Sequence, residues 1–211
     1  MPAGRYPCLW RMYGPFEWRW PDSGPVVFMT WDDGPHPEST PVLLNLLKGL
    51  DVKATFFCLG ENAMNYPDLI DQILKNGHTV ANHGWSHLDG WRISLRKFKE
   101  NALKGAHATN SRWFRPPYGR MLPGASYGLR RLGLRVILWD ILVQDYHKKI
   151  SEKSLMAACL HQAREGSIMV WHDTPWALKK TEKILPFIVD TLRNRGFNFS
   201  VIPPAPLFPT R

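Results

Sequence analysis

Val26-Val27-Phe28-Met29, followed at once by Thr30-Trp31-Asp32-Asp33-Gly34, reads as a buried strand that ends in two carboxylates. Pro25 and Gly34-Pro35 bound the apolar run, as turn-forming residues bound a strand. Adjacent carboxylates repel each other and are costly to bury unpaired. Neighbouring side chains of a strand point to opposite faces, so Asp32 and Asp33 are expected to meet different surroundings and to do different jobs. Asp-Asp-Gly-Pro is equally sound turn chemistry. The tetrapeptide alone does not separate a turn from a site.

Outward from this strand the chain alternates. Thr40-Pro41 supplies an N-cap and a proline at the first helical position, and Val42-Leu43-Leu44 with Leu46-Leu47 predicts a core-facing helix. Residues 54–59 form a continuous apolar strand, the pattern of a sheet covered on both faces. Residues 67–75 read as a helix closed by Asn76-Gly77, and 78–81 as a third strand. Helices are predicted near 94–109, 125–132, 153–164 and 181–195, and strands near 112–114, 135–139, 167–171 and 197–202. About seven strands separated by helices predict an α/β fold with a parallel sheet, closed or nearly closed into a barrel. No Gly-x-Gly-x-x-Gly follows the first strand, so a dinucleotide fold lacks its main support. Residues 1–24, rich in Pro, Gly and Trp without periodicity, read as a segment covering the first strand; 25–211 read as one domain.

Composition narrows the function classes. The 211 residues are 44% apolar and 21% charged, enough for one substantial core. No apolar run reaches the ~18 residues that span a bilayer. The first eleven residues carry Arg5 and Arg11 without an apolar core between them, so no signal peptide is legible. The default expectation is a cytoplasmic protein, or a cell-envelope or secreted one if an export segment precedes this sequence. Cys8, Cys58 and Cys159 are too few and too scattered for a disulfide framework or a zinc knuckle, and the last two read as buried hydrophobes. The formal net charge of +9 favours an anionic partner. In the densest basic stretch, 92–99, Ile93, Leu95 and Phe98 interleave with the cations. That is a solvated helix face, and no nucleic-acid partner is expected.

Polar clusters follow the predicted strands. Asp32 and Asp33 follow the first, His83-Gly84-Trp85-Ser86-His87 the third, and Arg115-Pro116-Pro117-Tyr118 the fourth. Asp140 and Asp145-Tyr146 follow the fifth, and His172-Asp173 the sixth. Parallel α/β folds assemble active sites at the carboxyl ends of their strands. Acid, imidazole and guanidinium gathered there are hard to ascribe to packing. His83 and His87, four apart, can bring two imidazoles to one point. With one of the two aspartates they complete a two-His, one-carboxylate set that leaves positions open for water, as in catalytic zinc or ferrous oxygenase sites. Oxygenases of that kind typically use β-sandwich scaffolds, so a hydrolytic metal site fits this chain better.

From about residue 25 to the C-terminus the sequence resembles the polysaccharide deacetylase family, the NodB-homology domain of carbohydrate esterase family 4. Thr30-Trp31-Asp32-Asp33-Gly34 matches its Thr-Phe-Asp-Asp-Gly motif and His83 to His87 its His-x-x-x-His motif. Arg115-Pro116-Pro117-Tyr118, residues 139–146 and Val170-Trp171-His172 match the third, fourth and fifth motifs in the family's order. The resemblance implies a distorted (β/α)7 barrel that hydrolyses N-acetyl groups of a GlcNAc-containing glycan of peptidoglycan, chitin or envelope type. It implies that Asp33, His83 and His87 hold a divalent transition metal, zinc first, with cobalt, nickel or ferrous iron as alternatives. Asp32 would be the general base for the attacking water, with Arg115 beside it; an arginine fork suits that place better than a lysine. The Tyr118 N–H would stabilise the oxyanion. His172 would protonate the leaving amine, its pKa raised by Asp145.

Four departures from the family pattern bear on substrate fit rather than on the chemistry. Trp31 replaces Phe, and Gly84 replaces a Ser or Thr whose hydroxyl helps hold the metal loop. Tyr146 stands where many members have Trp, and Val170 where most have Leu in the pocket for the acetyl methyl. Trp85, Trp171, Trp176, Tyr118 and Tyr146 are candidate walls of the substrate groove, whereas Trp10, Trp18, Trp20, Trp113 and Trp139 read as core or covering residues. Two alternatives stay open: an O-acetyl carbohydrate esterase or related amide hydrolase, and a catalytically silent glycan-binding module. Retention of Asp32, Asp33, His83, His87 and His172 counts against the module.

Overall fold

The computed structural model describes residues 14–205, so Cys8, Trp10 and much of the expected covering segment lie outside the described residues. The elements run β1 (Phe16–Glu17), β2 (Val26–Asp32), α1 (Thr40–Gly49), β3 (Thr55–Cys58), α2 (Gly60–Asn65), α3 (Pro67–Lys75), β4 (Thr79–Asn82) and α4 (Leu95–Thr109). They continue with β5 (Trp113–Phe114), α5 (Ala125–Arg131), β6 (Arg135–Ile137), β7 (Ile141–Leu142), α6 (Glu152–Gln162), β8 (Ser167–His172), α7 (Pro175–Asn194) and β9 (Asn198–Ser200). The strands lie in the order β1-β6-β5-β4-β3-β2-β8-β7, with β9 also on β2, and their ladders are parallel.

β2 is the centre of this sheet. One edge pairs with β8 from Val27 to Asp32; the other is divided between β9 at Val26–Phe28 and β3 at Thr30–Asp32. Its side chains alternate as the pleat requires. Val27, Met29 and Trp31 join the large core beneath α1, α6 and α7, with Leu43, Leu47 and Ile188. Phe28 faces the barrel interior with Phe57, Ile137 and Ile168.

The sheet curls until its ends meet. β6 and β7 are consecutive, parted by residues 138–140, and there the chain changes partner. Leu138 N donates to Glu17 O at 2.6 Å, and Asp140 N donates to Ile168 O at 3.3 Å. Asp140 staples this seam: its Oδ1 accepts from Ile168 N at 2.8 Å and its Oδ2 from Ser167 Oγ at 2.9 Å. The result is the distorted (β/α)7 barrel that the resemblance implies.

Helix boundaries follow local chemistry with three differences from the sequence reading. Ser39, not Thr40, is the residue before α1, and Thr40 uses its hydroxyl elsewhere. α2 was not expected at all. α7 begins at Pro175 rather than near 181, because Thr174 caps it, accepting from Ala177 N at 3.3 Å, with proline at the first position.

Candidate active site

Thr30 and Asp32 lie on the inward face of β2, where Arg115 meets them from the end of β5. Arg115 is fully buried. Its Nη1 donates to Asp32 Oδ1 at 2.7 Å and to Thr30 Oγ1 at 2.8 Å, its Nη2 donates to Leu138 O at 3.2 Å, and the guanidinium lies 3.8 Å over the Phe57 ring. Burial lowers the Arg115 pKa, and Asp32 offsets this only in part. Removing one partner of such a pair would leave an uncompensated buried charge.

The expectation that the two aspartates face opposite sides is not met; both line one cavity. Asp33 leaves the strand with φ at +77°, in the left-handed region, and this turns its carboxylate toward the histidine loop. Asn62 Nδ2 holds the turn by donating to Asp33 O at 2.9 Å. Asp33 Oδ1 stands 3.4 Å from His83 Nε2 and 3.3 Å from His87 Nε2, and is buried without a hydrogen-bond partner. Burial pushes the Asp33 carboxyl up, but His83, His172 and His87 outweigh it and hold it well below the usual range. Burial, reinforced by His83, lowers the His87 pKa and favours its neutral ring. His83 Nδ1 lies 2.8 Å from Arg115 O; a carbonyl can only accept, so Nδ1 donates there and Nε2 is the ring atom turned to Asp33. Metal-binding histidines are commonly fixed in this way. The three ligand atoms lie within 4.8 Å of one another. An orphaned carboxylate oxygen between two imidazole nitrogens fits a divalent transition metal.

The histidine loop shows how the chain tolerates Gly84. Its φ is +90°, and a Cβ there would stand 2.6 Å from Asn101 Nδ2. Asn101 of α4 fills that space. Its Nδ2 donates to Ser86 O at 3.0 Å, and its Oδ1 accepts from Ser86 N at 3.1 Å and Ser86 Oγ at 3.2 Å. Asn82 Oδ1 accepts from Gly84 N at 2.7 Å, while its Nδ2 donates to Ala102 O at 2.8 Å. Two asparagines thus tie the loop to α4 where a loop hydroxyl is missing. Sequence reasoning missed both. The available signal was a polar residue on the buried helix face that Asn101 shares with Phe98, Ala102 and Gly105.

Across the cavity, His172 Nδ1 is 2.7 Å from Asp145 Oδ1, and His172 N donates to Asp145 Oδ2 at 2.8 Å. Burial acts to lower the His172 pKa, but Asp145 outweighs it and the pKa is raised to about 9. The Tyr146 ring meets His172 edge-on at 4.6 Å. Asp173 lies behind the site: its carboxylate accepts from Ser39 Oγ and Thr40 Oγ1, each at 2.6 Å, and its N donates to Asp32 O at 2.8 Å.

These groups open on a cavity of 340 Å³, also walled by Tyr118, Arg120, Trp139, Leu142, Tyr146, Val170 and Thr174. Tyr118 is exposed and has φ at +59°. Trp139, expected in the core, is part of the wall. Trp171 is not. Between Val170 and His172 it faces the helices, fully buried and stacked on Trp31 at 5.9 Å. Trp85 also lies off the cavity, beneath Lys104, whose Nζ is 3.5 Å from the ring. Trp176 is exposed at the start of α7, with Lys148 Nζ 4.6 Å over its ring.

A family model described as polysaccharide deacetylase matches residues 20–137. A peptidoglycan-N-acetylglucosamine deacetylase of Bacillus cereus is 30% identical over 204 residues, which covers 90% of this chain and 74% of the relative. A chitooligosaccharide deacetylase of Bradyrhizobium sp. is 28% identical, covering 84% of this chain and 89% of the relative. Among solved structures, the Bc1960 peptidoglycan N-acetylglucosamine deacetylase superposes with a TM-score of 0.83 at 29% identity, covering 89% of this chain and 91% of that one. A family 4 carbohydrate esterase from Streptomyces lividans in complex with acetate gives a TM-score of 0.77 at 28% identity, covering 86% and 94%.

Proposed function

Because this chain belongs to the polysaccharide deacetylase family, we propose that it hydrolyses the N-acetyl group of a GlcNAc-containing glycan, releasing acetate and a free amine. One observation carries the reading: an orphaned Asp33–His83–His87 cluster shares a cavity with a carboxylate held by arginine and a histidine held by carboxylate. Relatives named as deacetylases of peptidoglycan and of chitooligosaccharide support a glycan substrate. The net charge of +9 favours an anionic one.

Asp33, His83 and His87 would hold a divalent metal, zinc first. When bound, it supplies Lewis acidity, polarising a carbonyl and lowering the pKa of water. Asp32 acts as general base. Its Oδ1 is engaged by Arg115, and no described hydrogen bond reaches its Oδ2, which is left to accept a proton from water. Tyr118, through its left-handed turn, presents a backbone N–H to the oxyanion. Val170 and Leu142 receive the acetyl methyl. His172, held at Nδ1 by Asp145, gives the Nε2 proton to the leaving nitrogen, and a pKa of about 9 keeps it charged at neutral pH. The C–O bond to water forms, the C–N bond breaks, and acetate departs.

The test is acetate release from N-acetylated chitooligosaccharides and peptidoglycan, before and after chelation and with zinc restored. Release that chelator abolishes and zinc restores is expected. Release from acetyl esters alone would replace this reading with an esterase, and glycan binding without turnover would replace it with a silent module.

A further inference from the structure

A second cavity, of 380 Å³, adjoins the catalytic one and shares four of its walls: Tyr118, Arg120, Trp139 and Leu142. Beyond them it runs between the seam of the barrel and α6, over Val143, Ile150, Leu155 and Ala158. Its size and mainly apolar lining are those of a small-molecule site.

The charges around this second cavity are already paired. Arg120 Nη1 donates to Asp89 Oδ2 at 2.6 Å, and the Asp140 carboxylate is taken by Ile168 N and Ser167 Oγ. What is left is aliphatic and aromatic surface with the neutral Gln144, Ser154 and Gln162. An uncharged, apolar occupant matches such walls; a second anionic sugar does not.

The position of the shared walls says which part of a substrate reaches it. Tyr118 belongs to the oxyanion turn, and Leu142 lies in register with Val170 on β7 and β8. On the proposed mechanism both would face the acyl half of the scissile amide. Tyr146, His172 and Thr174, which on the proposed mechanism would face the amine half, line the catalytic cavity alone, as does Val170.

We infer that the protein hydrolyses amides of amino sugars whose acyl group is longer than acetyl, with the alkyl or aryl tail lying in this second cavity. The inference rests on the hydrolase reading of the first cavity. The reaction balances as before: water adds to the carbonyl carbon, the C–N bond breaks, and the longer carboxylate leaves.

The experiment measures amine release from chitobiose carrying N-acetyl, N-butyryl or N-hexanoyl groups by the zinc-loaded protein. Each methylene buried against these walls is worth up to about fourfold in kcat/KM. The hexanoyl substrate is therefore expected to equal or exceed the acetyl one. Ala158→Phe, which fills the second cavity, is expected to lower the hexanoyl-to-acetyl ratio at least about tenfold. A ratio taken within one protein is unaffected by loss of folded material. A wild-type protein that cleaves the hexanoyl amide more slowly than the acetyl amide overturns the inference and leaves the deacetylase reading standing. No release from any substrate, acetyl included, overturns the deacetylase reading itself.

Discussion

Two carboxylates, one lining the cavity and one buried behind it, hold cations at the same distance. Asp32 meets Arg115, and Asp145 meets His172, at 2.7 Å in both cases. What differs is whether the partner can give up its proton. Arginine does not, so Asp32 is the member of its pair left to exchange protons with a substrate. Histidine does, and Asp145 spends both oxygens on it, Oδ1 on the ring and Oδ2 on the main chain. On the proposed mechanism the same contact would therefore serve a base on one wall and an acid on the other. A third carboxylate completes the series: among the described residues the hydrogen-bond donors to the Asp173 carboxylate are two hydroxyls, and burial raises its pKa to about 6.

Asp32→Asn should break the first pair most severely. Asparagine keeps an oxygen for Arg115 but cannot take a proton from water. We predict that kcat falls about 10³-fold while zinc content, read by metal analysis, stays that of the wild type. Equal loss of metal and activity would show that Asp32 is a ligand and the division wrong. Asp145→Asn should sharpen the second pair. If His172 is the proposed acid, activity is retained below its pKa of about 9 and lost as pH rises through it. Without Asp145 the alkaline limb should move down toward the ordinary histidine range, with kcat at neutral pH about 10²-fold lower. An unmoved limb would assign it to another group.

Asp173 offers the mildest test. Its folded pKa of about 6 lies above the ordinary carboxyl value of 3.8, so between these pH values the folded chain binds a proton that the unfolded chain has released. Its contribution is fully present below about pH 4 and is lost as pH rises through 6, costing on the order of 1–3 kcal/mol. In urea titrations at pH 4 and pH 7, Asp173→Asn should remove that part of the slope. An identical slope would mean that another group sets it.

The comparison also shows what a sequence can reveal. Asp32, Asp33 and His172 were legible because they stand at the ends of β2 and β8, the strands with the clearest apolar runs, whereas Arg115 and Asp145 follow strands of two residues. The turn and site readings of Asp32-Asp33-Gly34 do not exclude one another, since the left-handed turn at Asp33 brings its carboxylate to the two histidines. β1 and β7, of two residues each, are too short to carry a periodicity. Asn101 works on Ser86, 15 residues away, and no local pattern announces such a contact. Trp171 belongs to a motif by position, but the alternation of β8 sends it outward into the core beneath the helices.

The seam at residues 138–140 has a consequence for motion. β2 and β8 share a ladder six residues long, whereas β6 and β7 share no ladder with each other and the seam rests on single contacts: the Leu138 and Asp140 backbone bonds, the Asp140 side chain, Arg115 on Leu138 O and the Arg19–Ser167 bridge. A boundary so thinly bonded is where a barrel breathes first. Amide protons of Leu138 and Asp140 should exchange with solvent sooner than those of Met29 and Trp31. The wall shared by the two cavities would then be the part of the barrel that yields most readily to a bulky guest.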